Sequence, residues 1–309
     1  MRFELLLNNF RNIEIYLTDF KNLVIVSYQN NNQKINADLL IDVERVIENK
    51  NSKLFKIIPK FIIRYLKRIV HQDDLNRVIS ENSDKKGLDF AEAILKDYEV
   101  TYTVRGMENL PDNGRFVFAS NHPLGAMDGI ALIRAVSEKF TNLKFPVNDI
   151  LMNLKGLDNI FIPINKHGAN SKDAARQLHE AYNSDAQILM FPAGLVSRKQ
   201  KGQIRDLEWK NNFIKKAIES NRDIIPVHIN GRNTNFFYNF ANLRKRLKIK
   251  ANLEMLYLVD EVYKQRGNNL VISFGKPVSW EEINNEKDKS KSAQKIKDLV
   301  YSEELKVKS

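Results

Sequence analysis

The chain has 309 residues, 43% of them hydrophobic and 28% charged, and its 49 Lys+Arg against 38 Asp+Glu give a formal net charge of +11. That apolar share can fill a sizeable core and excludes global disorder, while the positive excess favours polyanions: nucleic acid, an anionic membrane surface or an acidic carrier protein. No cysteine is present, which excludes disulfides, thiolate metal sites and a cysteine nucleophile and fits a reducing, cytoplasmic location.

The opening "MRFELLLNNF" lacks the apolar core and cleavage site of a signal peptide, and no window holds the roughly 18 uninterrupted apolar residues that span a bilayer. Membrane contact is therefore expected to be peripheral, on the inner face of the cell membrane. Residues 1–38 read as an N-terminal extension without an assigned role, with two β-like runs, "IEIYL" and "LVIVSY", ahead of the polar linker "QNNNQKIN".

Residues 39–98 read as a helical segment. In "PKFIIRYLKRIVHQ", Pro59 suits the first turn. Ile58, Phe61, Ile62, Tyr65, Leu66 and Ile69 recur at helical spacing, while Lys60, Arg64, Lys67, Arg68 and His71 line another face. Such a basic amphipathic helix fits an anionic bilayer surface, and it equally fits a helix docked on its own core with a solvated basic face.

A helix "GLDFAEAILKDY" and a strand "YEVTYTVRG" lead into residues 99–278, where short apolar strands alternate with amphipathic helices. They are "RFVFAS", "DGIALIRAVSEKF", "NIFIPI", "SKDAARQLHEAYN", "QILMFP", "LEWKNNFIKKAIES" and "DIIPVHI". The alternation predicts an α/β fold, a mostly parallel or mixed sheet flanked by helices, with the helical segment before it. Residues 279–309 are expected to form a charged C-terminal helix with a frayed tail.

Sites in such sheets gather at the carboxyl ends of strands. One end carries "ASNHPLGAMDGIALI", where His122 follows an apolar strand, Pro123 and Gly125 turn the chain, and Asp128 lies near the next helix start. A carboxylate that binds one imidazole nitrogen leaves the other as a base, and a base without an evident nucleophile implies that the substrate brings one. The bland alternative is a capped helix start with a satisfied histidine. Another end carries "FPAGLVSRK": Gly194 lets the main chain approach a ligand, and Ser197 and Arg198 suit an oxyanion or phosphate, although an ordinary strand-to-loop turn also explains Pro-Ala-Gly. The stretch "NFFYNFANLRKRLKIK" interleaves Phe236, Phe237, Tyr238 and Phe240 with Arg244, Lys245, Arg246, Lys248 and Lys250. Interfacial segments have this character, and so do helices with a buried aromatic face.

In order, Asn-His with its turn and Asp, "FIPINK", "FPAG..SR" and "IPV" resemble the four blocks of the glycerolipid acyltransferase superfamily (lysophosphatidic acid acyltransferase-like). With "RIVHQDDLN" and "GLDFAEAIL" ahead of them, the chain more closely resembles the bacterial hemolysin-like branch, which includes O-acyltransferases of amino-acid lipids. The resemblance implies a catalytic pair in which His122 deprotonates the acceptor hydroxyl and Asp128 orients it. It puts substrate contacts at Asn121, Asn165, Lys166, Phe191, Pro192, Gly194, Ser197 and Arg198.

It also implies direct acyl transfer from acyl-ACP or acyl-CoA to the hydroxyl of a lysolipid, in lipid biosynthesis. No metal and no bound cofactor are expected, and acyl carrier protein and an anionic membrane surface are the expected partners. Five residues separate His122 from Asp128 where four are commoner, and Ala193 and Val196 stand where the family block has Glu and Arg. A head group other than plain glycerol phosphate is therefore expected. The rival readings are a basic membrane- or nucleic-acid-binding protein without catalysis, for which no nucleic-acid signature occurs, and a serine hydrolase, for which no Gly-x-Ser-x-Gly elbow occurs.

Overall fold

In the computed structural model, residues 41–50, 52–148, 151–164, 171–249 and 252–306 are described; the readings of residues 1–38 lie outside them. Contacts group the chain into two compact units. One joins described residues 41–81 to 234–261, and the other joins 82–233 to 262–306. The helical segment expected over 39–98 is thus divided after Glu81, and the helix Leu88–Asp97 belongs with the sheet.

The larger unit is a three-layer α/β structure. Its strands are β1 (Thr101–Arg105), β2 (Phe116–Ser120), β3 (Leu143–Val147), β4 (Phe161–Pro163), β5 (Gln187–Met190), β6 (Arg198–Gln200), β7 (Gln203–Arg205), β8 (Asp223–Ile229) and β9 (Asn269–Phe274). Seven of them form one sheet in the order β1-β9-β8-β2-β5-β3-β4, and β6 and β7 form a separate antiparallel hairpin. Neighbours in the main sheet pair parallel except β8 with β9. The mostly parallel sheet expected from the alternation is present; β3, β9 and the hairpin were not anticipated.

All five residues of β2 are buried, as a strand covered on both faces requires. One face packs Val117, Ala119 and Ile188 against Trp209, Phe213, Ile214, Ala293, Ile296 and Val300. On the other, Phe116 and Phe118 meet Phe140, and Phe118 meets Phe274. Pro226 stands in a central strand without cost: its carbonyl accepts from Gly275 N at 2.8 Å, and the ladder with β9 begins only at Val227. The C-terminal region is helical where a capped helix was expected, and residues 307–309 lie outside the described residues. Helices Trp280–Asn285 and Lys289–Val300 follow the caps Ser279 and Asp288, and Ala293, Ile296, Val300 and Tyr301 enter the core.

In the smaller unit, helices Val43–Lys50 and Lys60–Ile69 pack a small core of Val43, Ile47, Leu66 and Ile69, and the helix Gln72–Glu81 follows them. Pro59 is the N-cap, one place before the first turn. The buried stripe of Lys60–Ile69 is Ile63, Leu66 and Ile69, which leaves Phe61 64% and Tyr65 47% exposed, with Ile57 and Ile62 exposed beside them. Members of the expected basic faces pair with carboxylates, Lys67 with Glu44 among them. His71 lies past the helix end at φ 48° with Nε2 2.9 Å from Asp260 Oδ1. Arg244 is buried in helix Asn235–Arg246, where its Nε donates to Glu254 Oε2 at 2.8 Å. That helix divides its aromatics: Phe237 and Tyr238 are buried, and Phe236 is exposed.

Candidate active site

Strands β2, β5 and β8 run parallel and end together at Ser120, Met190 and Ile229. The residues just beyond them therefore share one edge, among them His122 and Phe191. Asp128, with no exposed side chain, is the third residue of the helix Ala126–Ser137. Its Oδ2 accepts from Leu124 N at 2.8 Å, Gly125 N at 3.2 Å and His122 Nδ1 at 3.0 Å, and its Oδ1 accepts from Gly129 N at 2.9 Å. Convergence of two successive amides on one oxygen needs a tight reversal, which Gly125 supplies at φ 103° and ψ −98°, where a side chain would be strained. The extra residue between His122 and Asp128 is absorbed in this turn.

Because the ionised carboxylate can only accept, Nδ1 is the donor in this contact, and Nε2 is the ring nitrogen that Asp128 does not hold. The His122 side chain is 16% exposed. Phe191 stacks on the ring with centroids 4.0 Å apart and an 18° tilt, and Phe145 packs edge-on against Phe191. An imidazole held by a buried carboxylate and covered on one face by an apolar ring has the geometry that proton transfer at its remaining nitrogen requires.

The chain turns after β5 through Gly194, at φ 63°, whose N–H donates to Phe191 O at 2.9 Å. Pro192 and Ala193 are buried and Gly194 is exposed, and the Lys210 ammonium lies 3.5 Å from where a Cβ on Gly194 would stand. This puts a cation beside the turn. Ala193 and Val196, which stand where the resembling block has Glu and Arg, are both buried.

Three side chains expected to meet substrate turn into the protein instead. Asn121 donates through Nδ2 to Ile229 O at 2.8 Å and accepts from Ile229 N at 2.7 Å, tying β2 to β8. Arg198 is buried with Nη1 on Val196 O at 2.6 Å. Ser197 is buried and bound to His122 and Asp206. All three brace the edge, because a buried polar group needs protein partners and these have them. Phe191, Pro192 and Gly194 remain at the turn, whereas Asn165 and Lys166 lie outside the described residues. Asp206 has no local signal in the sequence, lying just ahead of "LEWKNNFIKKAIES", and only the β6–β7 hairpin returns it to His122.

Among the described residues no cluster of three or more His, Cys, Asp or Glu is placed to hold a metal, and no helix is long and apolar enough to cross a membrane.

A family model described as Acyltransferase matches residues 45–302. The chain is 48% identical over 263 residues to a lyso-glycine lipid O-acyltransferase of Bacteroides thetaiotaomicron, a match covering 85% of this chain and 97% of that protein. It is 46% identical to a protein of the same name from Phocaeicola vulgatus, covering 85% and 94%. Among solved structures, the 1-acyl-sn-glycerophosphate (LPA) acyltransferase PlsC of Thermotoga maritima aligns with a TM-score of 0.45 and 14% identity, over 81% of this chain and 99% of that one.

Proposed function

The chain belongs to the acyltransferase family and is an acyltransferase, and from that premise we propose that it moves a fatty acyl group from an acyl thioester to the hydroxyl of a lyso-glycine lipid. The observation that carries the chemistry is the 3.0 Å contact of His122 Nδ1 with the buried Asp128 carboxylate, which leaves Nε2 free to act. Nε2 takes the acceptor's hydroxyl proton as the oxygen attacks the thioester carbonyl. The tetrahedral intermediate collapses, the C–S bond breaks, and the thiolate takes the proton from the imidazolium, so that an ester and a thiol leave. A positioned base of this kind contributes about 10²- to 10⁴-fold. Lys210, beside the Gly194 turn, is the group suited to the oxyanion or to an acceptor carboxylate.

The acceptor class rests on the names of the two relatives. Glycine has no hydroxyl, so O-acylation requires one on the chain it already carries. An amino-acid head group also fits the apolar, buried Ala193 and Val196, which offer no charge to a phosphate. The net charge of +11 suits an acidic acyl carrier protein as donor.

The acceptor is met at an anionic membrane surface through the smaller unit. There Tyr65 OH lies 2.7 Å from Tyr257 OH, the Tyr257 ring contacts Phe236 and Phe240, and exposed Lys60, Arg64 and Arg68 flank exposed Phe61. Apolar rings set among cations suit the boundary between headgroups and acyl chains.

The test is acyl transfer by the purified protein, followed by mass spectrometry. A mono-acylated, hydroxylated glycine lipid and lysophosphatidate are offered separately, each with acyl carrier protein or coenzyme A thioester. Diacylated glycine lipid is the expected product; acylation of lysophosphatidate alone would overturn the acceptor.

A further inference from the structure

We infer that Asp206 is a positioning residue for the reaction: it clamps the peptide of His122 and thereby sets where the imidazole stands. This rests on His122 as the base. Asp206 is 4% exposed, and its carboxylate gathers three neutral donors. Oδ1 accepts from the backbone N–H of His122 at 3.2 Å and from Ser197 Oγ at 2.5 Å, and Oδ2 accepts from Trp209 Nε1 at 2.9 Å. Ser197 closes the loop by donating its N–H to His122 O at 2.8 Å. Both polar groups of the His122 main chain are therefore held by the segment that follows β5, while the His122 ring is held separately by Asp128.

The clamp is itself anchored. Asp206 N donates to Tyr301 OH at 2.8 Å, and Lys297 Nζ donates to Asp206 O at 2.9 Å. Burial pushes the Tyr301 hydroxyl up, and it lowers Lys297. Ring and main chain of His122 are thus fixed from two directions by two buried carboxylates, Asp128 from its own helix and Asp206 from a turn 84 residues away. A base locked only at its ring could still swing with its peptide; the second carboxylate removes that freedom. A displacement near 1 Å at a reacting group can cost about a hundredfold in rate.

The experiment measures kcat and KM for both substrates in folded variants, beside His122→Ala. Asp206→Ala leaves His122 N–H, Ser197 Oγ and Trp209 Nε1 without their acceptor, and Asp206→Glu keeps the charge but moves the oxygens by one methylene. Both should lower kcat by about 10- to 100-fold with either KM within about threefold, because the substrates still bind beside a misplaced base. Asp206→Asn combined with Trp209→Phe keeps an acceptor for His122 N–H and removes the donor that would face the new amide, so it should recover most of the lost kcat. A purely structural role would lower the melting temperature of all three and leave the kcat of the folded molecules alone. Wild-type kcat in folded Asp206→Ala or, if that variant does not fold, in Asp206→Glu overturns the inference, provided His122→Ala is inactive. An active His122→Ala would instead overturn the assignment of the base.

Discussion

Asp128 and Phe61 are each at odds with their surroundings: one is a carboxylate with no exposed side chain inside the sheet unit, the other an aromatic ring left 64% exposed on the helical unit. The first costs desolvation, which four hydrogen-bond donors offset. The second forfeits burial of an apolar ring, and among the described residues of the unit nothing covers it. A polar group that is buried and fully satisfied is fixed in place, which suits proton transfer. Apolar groups left outside among cations suit a partner that supplies the apolar phase. The two units thus depart from the ordinary inside-outside rule in opposite ways, as the proposed function requires of them.

The largest effect should come from the site itself. His122→Ala should lower kcat by about 10²- to 10⁴-fold while the fold and vesicle binding persist, as measured by acyl transfer on the purified, folded variant. Turnover near wild type would dissolve the contrast by making the buried carboxylate a helix cap and nothing more.

Acid stability sharpens the same side of the comparison. His228, in the sheet unit and 8% exposed, has its pKa lowered from 6.5 to about 4, chiefly by burial and then by the nearby Lys306 charge. Its Nδ1 is buried without a hydrogen-bond partner. Between those values the unfolded chain binds the proton and the folded one does not. Stability is therefore complete above pH 6.5 and falls as pH drops toward 4, by roughly 3 kcal/mol at most. Denaturant unfolding across that window should show a flatter acid limb for His228→Leu; the same slope in both proteins would rule out the assignment.

On the other unit, Phe61→Ser with Phe236→Ser should weaken partition onto anionic vesicles by about thirtyfold, at roughly 1 kcal/mol for each half-exposed ring. The melting temperature should hardly move, because neither ring is buried in the core. Flotation with the double variant bound as tightly as wild type would remove the lipid-facing role of this patch. The smallest effect is electrostatic. Arg64→Gln should lose about 1 kcal/mol of vesicle binding at low salt and almost none at high salt, where the surface potential is screened.

Much of this was open to reading from the chain. Residues 116–120 and 223–229 are apolar runs of strand length, and the helices Leu88–Asp97 and Ser171–Asn183 fall where the periodicity puts them. His122 and Asp128 pair across a single turn, so their meeting was visible as spacing. The roles expected of Asn121, Ser197 and Arg198 were read from residue type, and residue type does not say which way a side chain points at a strand end. All three are drawn inward by backbone groups from Ile229, His122 and Val196.

By itself the sequence determined what depends on neighbours a few residues apart: the alternation of strands and helices, the Gly125 turn, and the contact of His122 with Asp128. Tertiary structure decided what depends on distant partners. Only the hairpin of β6 and β7 and the docking of Tyr301 bring Asp206 to the His122 peptide. Only the partner elements decide that Lys60–Ile69 buries Ile63 and exposes Phe61, because Phe61, Ile62, Ile63, Tyr65, Leu66 and Ile69 wrap so wide an arc that periodicity alone cannot choose the covered stripe. Arg244 likewise reads as one more surface cation until Glu254, ten residues on, folds back against it.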